Sequence, residues 1–390
     1  MHSPMNDVPD GDELPPESAA TEPAFVQPPA TPQPVSPPPE PLVFTGSGNE
    51  YFRIWIVNLA LTMATLGIYS AWAKVRRLQY FYRHMRLAGA GFDYHGNPIA
   101  ILKGRIIALI LFGLYTAAGY VNIWMGIGIF AALAAVLPWL FGRSLRFRLH
   151  NSSYRGIRFR FHGTTAQAYW VFLALPIFTV LSLLTLGPFW HHRLKRYQFS
   201  NAAYGRSRLS TDAAVGEFYV TYVLAVFMFI GLLIVFVGVV MAITAVAMVA
   251  GRPLPDQPPV PGGPEVNVVT VIGFAIGFLV YVMIVIAVQA VTTARIQNEC
   301  WNAAKLDRHR FVSRMSARRL FGILLTNLLG TVATLGLFRP FAQVRLARYV
   351  ASTFTLVPAA GFDTFIAAEF DDVSAVGEET TDLFDFDIAF

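Results

Sequence analysis

Asn58, Thr62 and Thr65 stand at i, i+4 and i+7, so a helix through them carries one polar stripe. Asn327, Thr331 and Thr334 repeat that stripe near the other end of the chain, and the two sets end on Gly67 and Gly336. Ser182, Thr185 and Gly187 make a looser third copy. Amides and hydroxyls on an apolar helix can line a path for a neutral solute or hold a ligand at mid-membrane depth. The plainer reading is hydrogen bonding between helices, beside a glycine that lets backbones approach.

A second group is cationic. Arg76, Arg77, Arg158, Arg160, Arg193 and Arg345 follow apolar stretches and suit contact with anionic lipid headgroups. His191 and His192 are adjacent, which turns their rings apart, and between Trp190 and Arg193 they read as an interfacial anchor rather than a metal site. His95 and His162 share a Phe-x-aromatic-His-Gly setting and read as turn closers. The one cysteine, Cys300, can form no internal disulfide and has no metal partner at zinc spacing, so it reads as packing. Phosphate-loop, nucleophile-elbow and His-Glu-x-x-His patterns are missing. The expectation is therefore no enzyme, no cofactor and no metal. Apart from His191 and His192 at the end of the second segment, the apolar stretches hold no Asp, Glu, Lys, Arg or His, which counts against a proton-coupled pump.

The elements that position these residues follow from composition. Of 390 residues, 55% are hydrophobic and 14% charged, far from the roughly 25% charged of soluble domains. All 30 Lys and Arg lie in 51–350 against seven of the 24 acids, so that stretch carries +23 between two acidic ends. Such charge beside apolar spans fits the positive-inside rule better than a nucleic-acid surface. No nucleic-acid partner is expected.

Residues 1–41 contain thirteen prolines and read as a disordered acidic tail rather than a signal peptide. A membrane domain follows over 42–350. Its three Thr-Leu-Gly segments are 54–73, 168–192 and 320–338, with further helices in 106–142, 218–251 and 266–294. The uncharged run 106–142 suits two spans joined near Gly119 to Asn122, and the proline-rich loop 252–265 looks external. Ile157-Arg-Phe-Arg-Phe161 alternates as a strand does. Asn151, Asn201 and Asn302 each precede a candidate strand and read as left-handed helix caps. Residues 351–390 form an acidic tail with spaced aromatics, suited to folding back on the basic face. The fold class is an α-helical polytopic membrane protein of about seven embedded segments with internal repeats, plus short cytoplasmic strands.

Two arrangements satisfy this pattern. In one, all seven segments span and consecutive three-helix units are inverted repeats. In the other, four span while the Thr-Leu-Gly segments re-enter or lie at the interface, which puts every basic stretch on the cytoplasmic side.

Phe44-Thr-Gly-Ser-Gly-Asn-Glu50-Tyr-Phe-Arg53, Thr65-Leu-Gly-Ile-Tyr-Ser-Ala-Trp72-Ala-Lys74, Tyr154-Arg-Gly-Ile-Arg-Phe159 and the ending from Gly377-Glu-Glu to Asp385-Phe-Asp-Ile resemble the YjgN family of bacterial inner-membrane proteins. The resemblance covers roughly 42–390 and implies a polytopic inner-membrane protein, with no substrate or catalytic residues to carry over. Leu186-Gly-Pro188-Phe-Trp190 departs from the spacing after the first glycine. Two functional readings remain: a solute-handling or pore-like protein, and an envelope scaffold whose basic face holds anionic lipid or a partner. Substrate and oligomeric state are not fixed by the sequence.

Overall fold

The computed structural model describes residues 37–250, 268–359, 363 and 365–370. The chain enters as β1 (Glu40–Pro41) and β2 (Val43–Phe44), then forms α1 (Gly48–Ala64) and α2 (Ser70–His84). Strand hairpins and helix pairs alternate from there. The first hairpin, β3 (Met85–Leu87) and β4 (Ala90–Tyr94), leads to α3 (Pro98–Val121) and α4 (Ile123–His150). The second, β5 (Ser152–Tyr154) and β6 (Ile157–Phe161), leads to α5 (Thr165–Tyr169), a π-helical turn (Trp170–Ala174), α6 (Leu175–Leu181) and α7 (Gly187–Ser200). Then come β7 (Ala202–Tyr204), β8 (Ser207–Thr211), α8 (Val215–Ala250) and α9 (Val268–Asn302). The last group is β9 (Ala304–Leu306), β10 (His309–Ser313), α10 (Ala317–Ala333), α11 (Arg339–Ser352) and β11 (Phe354–Val357).

Two-residue turns set the hairpins. Ala88-Gly89 and Arg155-Gly156 hold both residues at positive φ, as a type I′ turn demands, and Gly205 and Asp307 open the other two turns at positive φ. Neighbouring strands are all antiparallel, in the order β1-β11-β10-β9-β8-β7-β6-β5-β4-β3-β2. Glu40 pairs with Leu356, Leu42 N donates to Phe354 O at 3.0 Å, and Phe44 pairs with Met85. One N-terminal strand thus bonds to both ends of the sheet, and the sheet closes as a barrel without a free edge. Ile157 and Phe159 join Tyr154, Tyr204, Phe311 and Leu356 in its core, while the alternating Arg158 and Arg160 are exposed.

Among the described residues four helices are long and apolar enough to cross a membrane: Pro98–Val121, Ile123–His150, Val215–Ala242 and Ala275–Asn302. At about 1.5 Å per residue, even the shortest exceeds a hydrocarbon core of roughly 30 Å. The expected join between the first two falls at Asn122, whose side chain caps α4 by accepting from Trp124 N at 2.8 Å. The helix expected over 266–294 continues to Asn302.

The Thr-Leu-Gly segments do not fit the full-span reading, because each reverses and returns to the barrel. Gly67 N, Leu184 N and Gly336 N donate to Thr62 O, Thr179 O and Thr331 O at 2.8, 2.8 and 2.7 Å. The preceding Leu66, Leu183 and Leu335 are left-handed, at φ 49°, 51° and 51°. This is the Schellman arrangement, which satisfies the last carbonyls of a helix and sends the chain back. Near the barrel, Ser47 N donates to Tyr80 Oη and Ser316 N to Tyr349 Oη, both at 2.9 Å, so the arms are antiparallel. The third copy is also shifted from its expected register. Leu184, not Gly187, occupies the position of Gly67; Ser182 takes the place of Thr65; and Gly187 begins α7. Ahead of that turn, Pro176 has no N–H to give Phe172 and its ring crowds that carbonyl, which accounts for the π-helical widening.

Two boundaries move. Glu40 and Pro41, taken as the end of the tail, form β1, and residues 351–357 complete α11 and β11. Asn151 and Asn201 do end helices, but at φ −85° and −100° rather than left-handed; their amides donate back to Phe147 O and Tyr197 O, both at 2.9 Å. Asn302 instead accepts from Ser313 N at 2.7 Å. The loop 252–265, residues 1–36 and residues 371–390 lie outside the described residues.

Candidate functional site

The first helix hairpin, α1 with α2, lies between α11 and α3, and the four helices line an open pocket of about 430 Å³. The apolar faces of α1 and α2 bring Asn58 and Thr62 opposite Ser70, Lys74 and Arg77. Helix α3 contributes Arg105, the last charge before its uncharged run, and α11 contributes Arg339 and Gln343 from the residues just after the third turn. Tyr51, 2% exposed, fastens α1 to α11 by donating to Gln343 Oε1 at 3.0 Å. Arg105 donates to Ser70 Oγ, fastening α3 to α2.

Four cations therefore converge, with no Asp or Glu among the described lining residues. Burial pushes the Lys74 ammonium below its ordinary range, and the neighbouring Arg105, Arg77 and Arg148 push it the same way. Asn58 is 7% exposed, and its Oδ1 has no hydrogen-bond partner among the described residues. A buried acceptor left unmet costs about 1–3 kcal/mol, so this carbonyl favours a donor brought to the pocket. The site can take an oxyanion on its cations and a hydroxyl on Asn58.

The polar stripes divide. Thr62 and Thr65 hydroxyls donate to Asn58 O and Leu61 O at 2.6 and 2.8 Å, and Thr331 and Thr334 to Asn327 O and Gly330 O at 2.6 and 2.7 Å. Ser182 and Thr185 likewise bond locally, to Thr179 O and Ser182 O. Asn327 donates to Ala342 O and accepts from Arg345, each at 3.2 Å, and so serves packing. Of the expected headgroup arginines, Arg77 alone lines this pocket. Arg76 lies over Tyr69, Arg193 over Phe189, and Arg158 and Arg160 on the barrel wall. His191 Nδ1 meets Tyr222 Oη, His192 Nε2 meets Ala213 O, and His95 Nε2 meets Ser153 Oγ.

Sequence reasoning missed Tyr51, Arg105 and Gln343 as site residues and read Lys74 and Arg339 only as brackets of apolar segments. The available signal was that these brackets cluster beside the two best-matched turns. The C-terminal acids were expected to fold back on the basic face. In the described part, Asp363 pairs with Arg155 at 2.7 Å and buried Glu369 accepts from Arg206 N at 2.6 Å.

A family model described as "Bacterial protein of unknown function (DUF898)" matches residues 39–383. Inner membrane protein YjgN of Salmonella typhimurium is 33% identical over 143 residues, 36% of this chain and 36% of the relative. The protein of that name from Escherichia coli K12 is 30% identical over 158 residues, 38% of each chain. The match thus spans little more than a third of these curated relatives. No solved structure matches the chain.

Proposed function

We propose, from the chemistry of the pocket, that this chain, which belongs to the DUF898 family of bacterial proteins, binds a phosphate-bearing anionic amphiphile at the membrane surface. It is a multi-pass inner-membrane protein with several apolar helices. The observation that carries the reading is the convergence of Lys74, Arg77, Arg105 and Arg339 around Asn58.

Position supports it. Leu66, Leu183 and Leu335, at the tips of the three short hairpins, are 95%, 87% and 95% exposed. Apolar tips on arms anchored in a basic barrel suit dipping into one leaflet, with the barrel on the cytoplasmic side by the positive-inside rule. The pocket runs from Tyr51, near the barrel, to Thr62 and Ser70, near the tip, which is headgroup depth in this arrangement. The cations argue for an anion over a neutral solute, and the threonine hydroxyls, bonded to their own helix, offer little to a neutral passage.

Native mass spectrometry with phosphatidylglycerol titrated into detergent-solubilised protein tests the reading. Arg77→Gln with Arg105→Gln removes charge-assisted contacts of about 1.5–3 kcal/mol each, so affinity should fall by tenfold or more. Undiminished binding in that variant, with loss in Arg158→Gln and Arg160→Gln instead, would move the lipid contact to the barrel wall and overturn the pocket reading.

A further inference from the structure

The barrel has an interior that the anion pocket does not use. An apolar cavity of about 250 Å³ lies within it, walled by Phe92, Phe159, Phe311 and Phe354 with Leu209 and Trp301. The two tyrosines on its wall have already spent their hydroxyls, Tyr154 donating to Leu87 O at 2.7 Å and Tyr204 to Tyr154 O at 3.1 Å. A polar ligand would find no partner there. A dry cavity of about 150 Å³ is enough to take benzene, so this lumen admits a larger hydrocarbon guest.

The two ends differ. At the turn end, the helical segment 365–370 is a stopper: Phe365 and Ile366 pack into the barrel core, and Glu369 is held by Arg206 N and Ser207 Oγ. At the helix end the wall is formed by Leu149, Ala202 and Trp301, where α4, α7 and α9 meet the strands. Helices α4 and α9 are spanning helices, so that end faces the membrane, whose abundant apolar molecules are lipids.

We propose that the barrel lumen binds one acyl chain of a membrane lipid, entering from the helix end. Chain atoms would replace the missing contacts of the cavity wall, while the C-terminal stopper prevents passage through the barrel. This site is separate from the cationic pocket and does not depend on it.

Trp301 reports directly on the lumen. The full chain is reconstituted in phosphatidylcholine vesicles whose acyl chains are either brominated or not, and bromine quenching due to Trp301 is taken as the difference between wild type and Trp301→Phe. Quenching of Trp301 is expected, and it should fall by at least about half in Ala202→Leu or Leu209→Phe, which place larger side chains on the inward face of β7 and β8 and so fill the lumen. Thermal melts identify a variant that fails to fold, and the other then supplies the comparison. Equal Trp301 fluorescence in the two lipids would overturn the proposal. So would quenching that persists in the filled, folded variant, since bromine would then reach Trp301 from outside the barrel.

Discussion

The first and last helix hairpins share a sequence motif, a turn and a base contact, yet they use their asparagine differently. Asn327 is satisfied on both sides, by Ala342 O and Arg345. Asn58 leaves Oδ1 unmet and opens onto the cationic pocket. Matching the turns places Arg76 where the last hairpin has Arg345, Lys74 where it has Gln343, and Ser70 where it has Arg339. Arg76 lies over Tyr69 instead of reaching Asn58, and α3 supplies Arg105 to the same pocket. A repeated motif can therefore be packing in one copy and a site in the other, and the neighbouring helix decides which.

The largest effect should come from breaking the satisfied copy. Arg345→Met strands the buried Asn327 Oδ1 and should cost about 1–3 kcal/mol, whereas Arg76→Met, likewise exposed but bonded to no buried amide, should stay within about 0.5 kcal/mol. Thermal midpoints in one mild detergent compare the two. Equal losses would mean that Arg76 supports Asn58 after all.

The turns give the next effect. Gly67 and Gly336 lie at φ 93° and 95°, so Gly67→Ala and Gly336→Ala should each destabilise by about 1 kcal/mol. Leu184 holds the matching position at φ 69°, and Leu184→Gly should stabilise by up to about 1 kcal/mol by relieving a left-handed leucine. The same melts read the sign, and a loss on Leu184→Gly would show that the middle hairpin does not share the strain of the other two.

The smallest effect is a pH dependence confined to the first copy. Burial and the adjacent arginines lower the Lys74 pKa, so its charge is present at low pH and is lost, as pH rises, earlier than that of an ordinary lysine. Phosphatidylglycerol affinity should weaken with rising pH starting below the usual lysine range. Lys74→Gln, which copies Gln343, should bind more weakly and lose this part of the pH profile. A profile unchanged by Lys74→Gln would assign the titration elsewhere.

Much of the membrane architecture could be read directly. Long uncharged runs ended by arginines gave the spanning helices, because hydrocarbon tolerates neither charge nor unpaired backbone. The reversals were harder. Thr65-Leu-Gly67 resembles the interior of an apolar helix until Leu66 adopts a left-handed φ, and the middle copy misled by carrying its glycine three residues after the equivalent position. The barrel was legible only as scattered strands, such as Ile157 to Phe161, since three- and five-residue strands have little periodicity of their own. Glu40 and Pro41 looked like the last residues of a proline-rich tail.

The sequence by itself determined where the chain meets lipid, where it is basic and where its helices stop, because each depends on residues close together along the chain. Tertiary structure alone decided that Glu40 would pair with Leu356 and close the barrel, and that Asn58, Lys74, Arg105 and Arg339 would share one pocket. Those contacts join residues far apart in the chain. Their free energy comes from strand pairing and helix packing that exist only once the ring has closed, so no local pattern could have recorded them.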